Sequence, residues 1–97
     1  MKIKYIGNFN DGTGWSKAST YNALALNAAG HDVYCQEVKY GNQNVVIDDK
    51  ILELVNKKTD SYDMIINHVI PKDYQYIKGV KNIGIVELET LTLSNVL

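Results

Sequence analysis

The sequence is short of several things at once. In 97 residues it has one cysteine, Cys35, and one proline, Pro71. A lone thiol forms no intramolecular disulfide, and in an expected strand it reads as a small buried hydrophobe. That usage fits a reducing cytoplasm. A single proline rules out a Pro-rich linker. Neither sign of charge is in excess: ten basic and eleven acidic residues give a formal net charge of −1. The chain therefore lacks the basic footprint of a nucleic-acid binder, and nothing draws it to an anionic membrane. No apolar run approaches the roughly 18 residues of a membrane span. The apolar part of "MKIKYIGNFNDG" is too short and broken for a signal peptide. No Cys/His cluster has zinc spacing, and no other metal is called for.

What is present is enough for one small domain over 1–97. Hydrophobic residues make up 45% of the chain. "KIKYIGNF" reads as a strand over 2–7. A glycine-containing turn, "NDGTGW", follows, then a helix with Ser16 as its N-cap, running to about Ala29 and stopped by Gly30. Within it Ala18, Tyr21, Ala25 and Ala28 share a face. "HDVYCQEV" is a strand over 32–38. Asp48 or Asp49 caps a second helix, "KILELVNKK", with Ile51, Leu52 and Val55 facing the core and Lys57 and Lys58 in its last turn. "YDMIINHVI" gives a third strand over 62–68, apolar enough to be buried on both faces. Pro71 opens a short helix, "KDYQYIKG", ended by Gly79. "KNIGIVELE" gives a fourth strand over 81–87. This alternation predicts an α/β, Rossmann-like parallel sheet of about four strands with helices on both faces and right-handed crossovers. The expected strand order is 3-2-1-4.

In such sheets ligands bind beyond the carboxyl ends of the strands. The glycine turn, "NHVIP" and "ELET" occupy those ends. The turn matches neither a dinucleotide fingerprint, since Lys17 stands where a third glycine belongs, nor a P-loop, since Thr13 stands where lysine belongs. Its physical content remains: Gly12 and Gly14 permit close approach of a ligand, and a helix N-terminus follows. The plain alternative is a turn and nothing more. His68 is either a hydrogen-bonding group or base toward a bound sugar or phosphate, or a cap on a loop carbonyl. His31, just after Gly30, reads as a partner of the helix dipole. Glu87 and Glu89, two apart on a strand, share a side and could do acid–base work; the plainer reading makes Glu87 a strand end and Glu89 a solvated loop residue.

Together these stretches resemble a known family. "GNFNDGTGWSKASTYNALALNAAGHDV" looks like the N-terminal segment of retaining glycosyltransferases of the GT-B fold, family 4 type. "YDMIINHVIP" resembles their third-strand region with its histidine near the cleft, and "KNIGIVELET" resembles their N-I-G-x-x-x-x-E-T segment. The resemblance implies transfer of a hexose from a nucleotide sugar to an acceptor hydroxyl, with this chain as the acceptor-side domain. By the same resemblance Gly12, Gly14 and Trp15 line the loop near the donor phosphates, His68 faces the cleft as the catalytic candidate, and Glu89 and Thr90 lie at its floor. The donor nucleotide sugar is a substrate; no cofactor is implied. The family's paired glutamates, spaced E-x7-E, belong to a second, donor-binding domain, and no such pair occurs here. A chain lacking that domain is expected to be inactive alone. Two other readings stay open: a stand-alone module binding a nucleotide or small anion, and a structural domain whose sheet edges pair with another copy into a homo-oligomer.

Overall fold

The computed structural model describes residues 1–9, 14–38 and 48–85, apart from the side chains of residues 14 and 15. The described elements are strand β1 (Lys2–Gly7), helix α1 (Gly14–Ala28), strand β2 (Asp32–Glu37), helix α2 (Asp49–Asn56), strand β3 (Met64–Asn67), a 3₁₀ turn (Pro71–Asp73) and strand β4 (Lys81–Gly84). All three strand pairings are parallel, as the alternation of elements predicts. The fold is a small Rossmann-like α/β domain.

The strand order is β2-β1-β3-β4, not 3-2-1-4. The reason lies in the third strand. Ile65 and Ile66 point to opposite faces and both are buried, so this strand needs neighbours on either side and layers above and below. β2 carries Asp32, Gln36 and Glu37, which tolerate the edge.

The layers also differ from expectation. Ile3 and Tyr5 of β1, Val33 and Cys35 of β2, and Ile66 of β3 form one buried cluster with Ala23 of α1 and Ile51 and Leu54 of α2. Both helices thus lie on the same face. The opposite face holds Ile6, Ile65 and Val69, covered by Tyr74, Ile77 and Val80 from the connection between β3 and β4. That connection is helical only over its first turn. Tyr74 is already extended, with φ −61° and ψ 137°. Two asparagine side chains take the backbone groups that a helix would have used. Asn67 bonds both the N–H and the C=O of Gln75 at 2.9 Å, and Asn82 bonds the N–H and C=O of Ile77 at 3.2 and 3.0 Å.

The helix boundaries follow their local chemistry. α1 begins at Gly14, so Ser16 sits inside its first turn rather than at its cap. Its inward face is Ser16, Ser19 and Ala23, while Tyr21 is 74% exposed. The helix ends as predicted at Gly30, with φ +98°. His31 N–H reaches Leu26 O and Gly30 N–H reaches Asn27 O, the paired bonds of a Schellman motif. Asp48 caps α2, accepting from the N–H groups of Lys50 and Ile51. Ile51 and Leu54 are the buried residues of α2; Leu52, expected inside, is exposed. A stripe at i, i+3, i+4 (51, 54, 55) fits the helical repeat better than 51, 52, 55. Lys57 lies just past the helix, in extended backbone.

Candidate functional site

β1 and β3 lie side by side, and their carboxyl ends lead to opposite faces. After β1 the chain passes to α1, on the face of Tyr5 and Ala23. After β3 it passes through Val69 to the connection on the other face. Neighbouring parallel strands whose connections part in this way leave a crevice at their carboxyl ends, the usual ligand position of open α/β sheets.

A chain of buried polar groups joins these strand ends to α1. His68, the residue after β3, is fully buried, and its backbone N–H bonds Ile6 O at 2.8 Å. Its Nδ1 lies 2.6 Å from the Tyr5 hydroxyl and 3.3 Å from Ser19 Oγ. Asn22 Nδ2 donates to the same Tyr5 oxygen at 3.1 Å. Which of the Tyr5 hydroxyl and His68 Nδ1 donates in their bond is set by the tautomer of the ring. The Tyr5 and His68 rings meet edge-on, with centroids 5.9 Å apart. Gly7 makes the approach of α1 possible, since a Cβ there would stand 2.8 Å from Ser19 Oγ. Around the end of β1, Asn8 Nδ2 donates to Val38 O and Phe9 N–H to Glu37 Oε2, at 2.8 and 2.7 Å. These bonds tie the first residues of the turn to β2.

Of the residues singled out in the sequence, His68 thus lies at the predicted strand end with its ring enclosed. Gly14 opens α1 and Trp15 follows it. Among the described residues positive φ occurs only at Gly30 and Gly79, so Gly14 has an ordinary helical backbone. Gly12, Glu89 and Thr90, with Glu87, lie outside the described residues. Sequence reasoning passed over Tyr5, Ser19 and Asn22. The available signal was a polar stripe at 16, 19 and 22 on a helix whose Tyr21 faces outward.

Two hollows flank this centre. One, of about 350 Å³, is an apolar groove beside α1 lined by Tyr5, Asn22, Ala25, Leu26, Ile66 and Ile85. The other, of about 240 Å³, follows the β2 edge from Tyr34 to Glu37, between Lys4 and Tyr62 on one side and Val55, Lys57 and Lys58 on the other. In it Lys57 pairs with Asp32 and lies 4.7 Å from the centre of the Tyr34 ring. Tyr34 donates to Asp32 at 2.8 Å. The bonds from Lys57 and then Tyr34 hold the Asp32 carboxyl below the usual carboxylate range, and the bond to Asp32 raises the Tyr34 hydroxyl. Burial pushes the Cys35 thiol up to about 12, so it is no nucleophile.

Among the described residues no group of three His, Cys, Asp or Glu could hold a metal ion, and no helix is long and apolar enough to cross a membrane. Compared with family models, with characterised proteins and with solved structures, the chain matches none of them.

Proposed function

We propose that this chain is the acceptor-side, Rossmann-like module of a sugar-transferring enzyme. It receives its ligand in the crevice between β1 and β3 and depends on a second domain for the nucleotide sugar. The observation that carries the ligand reading is the parting of the connections after β1 and β3. The sugar-transfer reading rests on the resemblance of the stretches around Gly12 and Gly14, His68, and Glu89 and Thr90. In such a transfer the bond from the sugar's anomeric carbon to the diphosphate breaks, a bond to the acceptor oxygen forms, and the acceptor proton is taken away. Gly12 would belong to the approach loop, Gly14 and Trp15 to the start of α1 behind it, and Glu89 and Thr90 to the floor. His68, with its ring enclosed, serves as a positioning residue that holds the ends of β1 and β3 to α1 through Tyr5 and Ser19.

Thermal denaturation in the presence of UDP-glucose, GDP-mannose, the free nucleoside diphosphates and simple hexoses tests this. A ligand at one hundred times its Kd stabilises the fold by about 2.7 kcal/mol, on the order of 10 °C or more for a domain of this size. Stabilisation by a hexose or nucleotide sugar is the expected result. Stabilisation by nucleotides or phosphate alone would favour the stand-alone module, and none with any compound at millimolar concentration overturns the ligand reading. The chain alone should show no multiple turnover, because half a cleft neither positions two substrates nor excludes water.

A further inference from the structure

The helix layer covers the sheet unevenly. α1 and α2 pack on β1 and β2. On the same face, the β3–β4 half carries Met64, Ile66, Ile83 and Ile85, with Ile66 and Ile83 in register side by side. Ile66 is buried, whereas Met64, Ile83 and Ile85 are only half-buried. The opposite face of these strands is better covered, since Tyr74, Ile77 and Val80 close over Ile65 and Val69. The half-covered strip meets α1 at the 350 Å³ groove, where Ala25 and Leu26 form one wall and Ile66 and Ile85 lie on the sheet side. No described residue of that lining is charged.

An apolar sheet face is stable under a second layer, and a candidate for that layer is tethered to the groove. Ile85 is a lining residue and leads directly into residues 86–97, which lie outside the described residues. Glu87 and Glu89 are the charged residues of that stretch; from Thr90 onward it reads "TLTLSNVL", with Leu91, Leu93, Val96 and Leu97 and no charge. Such a segment is driven to bury its apolar side chains, and the uncharged groove matches it. The hollow at the β2 edge does not, because Lys4, Glu37, Lys57 and Lys58 line it. Direction and reach also fit. The chain leaves β4 at its carboxyl end, the end of the sheet at which α1 begins, so a returning segment runs beside α1 in the same sense. α1 has 15 residues and is about 22 Å long, a span that the stretch from Thr90 to Leu97 covers at roughly 3.3 Å per extended residue. We propose that residues 91–97 dock in the groove between α1 and the β3–β4 face and complete the layer. The turn back then falls at Glu89 and Thr90, beyond the end of β4, so that docking fixes these two residues at the crevice floor. That consequence rests on the sugar-transfer reading; the docking itself does not.

The test uses the 97-residue chain with Ser94→Cys carrying a nitroxide label, read by paramagnetic broadening of the backbone amides. Cys35 is buried and its thiol is pushed up to about 12, so it stays unlabelled. The amides of Ala25, Leu26, Ile66 and Ile85 should lose most of their signal, while those of Lys4 and Lys58, at the other hollow, keep theirs. Two variants of the labelled chain check the cause. Leu91→Asp with Leu93→Asp removes the apolar anchors, and Ala25→Arg, at an exposed position of α1, obstructs the groove. Each should restore the signals of Leu26 and Ile66 while the rest of the spectrum stays that of the folded chain. Undiminished signals at Leu26 and Ile66 in the labelled chain overturn the docking. Broadening that persists in both variants overturns it too, since a tether alone would then keep the label near. Broadening of isotope-labelled, nitroxide-free chains by nitroxide-bearing ones would assign the groove to the segment of a second copy and overturn the proposal as well. No sugar or nucleotide is present in these measurements, so a failure here is separate from a failure of the ligand reading in thermal denaturation.

Discussion

Tyr5 is the residue on which the buried polar chain turns, because its hydroxyl meets both Asn22 and His68. Tyr5→Phe keeps the ring and removes that link. The 3.3 Å contact between His68 Nδ1 and Ser19 would remain. The expected cost is about 1–3 kcal/mol in urea unfolding, and Ser19→Ala, which loses only the longer bond, should cost less. A neutral Tyr5→Phe would mean that the chain of bonds does not hold the strand ends. Asp32 gives a second measurement at this scale. Its folded pKa is lowered, first by the bond from Lys57. The stability it contributes is therefore complete above its unfolded value of about 3.9 and is lost as pH falls through the lowered folded value. Asp32→Asn should flatten that part of the acid limb in a stability–pH series; an unchanged limb would assign it to other carboxylates.

At the level of the elements, all four strands were legible because their β-branched runs stop at glycine or at polar residues. Gly30 was legible as a stop because its conformation is local. The inward face of α1 was not. Its buried residues are Ser16, Ser19 and Ala23, so hydrophobicity alone points to the wrong side, and the reason for small polar groups there lies in His68, 49 residues from Ser19. The helix expected after Pro71 stops after one 3₁₀ turn for a similar reason. Its competitors are the side chains of Asn67 and Asn82, which no helical pattern reveals. Asn67→Ala leaves the N–H and C=O of Gln75 without these partners and should cost about 1–3 kcal/mol by denaturant titration. If the segment instead became helical, circular dichroism would show a gain in helix, and the cost would be smaller.

For the molecule as a whole, alternation of elements was enough to give a parallel sheet, and it could not give the order of the strands. Order depends on which strand needs two neighbours, and the clue was present in "MIIN", whose buried pair on opposite faces belongs in the interior. His68 lies beside the end of β1 whichever order the strands take, because its place at the end of β3 is set by the strand itself. The connection between β3 and β4 has a further consequence for how this molecule breathes. The amides of Gln75 and Ile77 are held by side-chain oxygens at either end of the segment, with no helical ladder between them. Letting go at Asn67 or Asn82 frees the whole stretch, so it should open as one low-energy unit while β1, between two strands, stays closed. In native-state hydrogen exchange Gln75 and Ile77 should share one opening free energy, well below that of Tyr5 and Ile6. If their amides exchange as slowly as those of β1, the asparagine clasps are as firm as the sheet, and the domain opens only by unfolding.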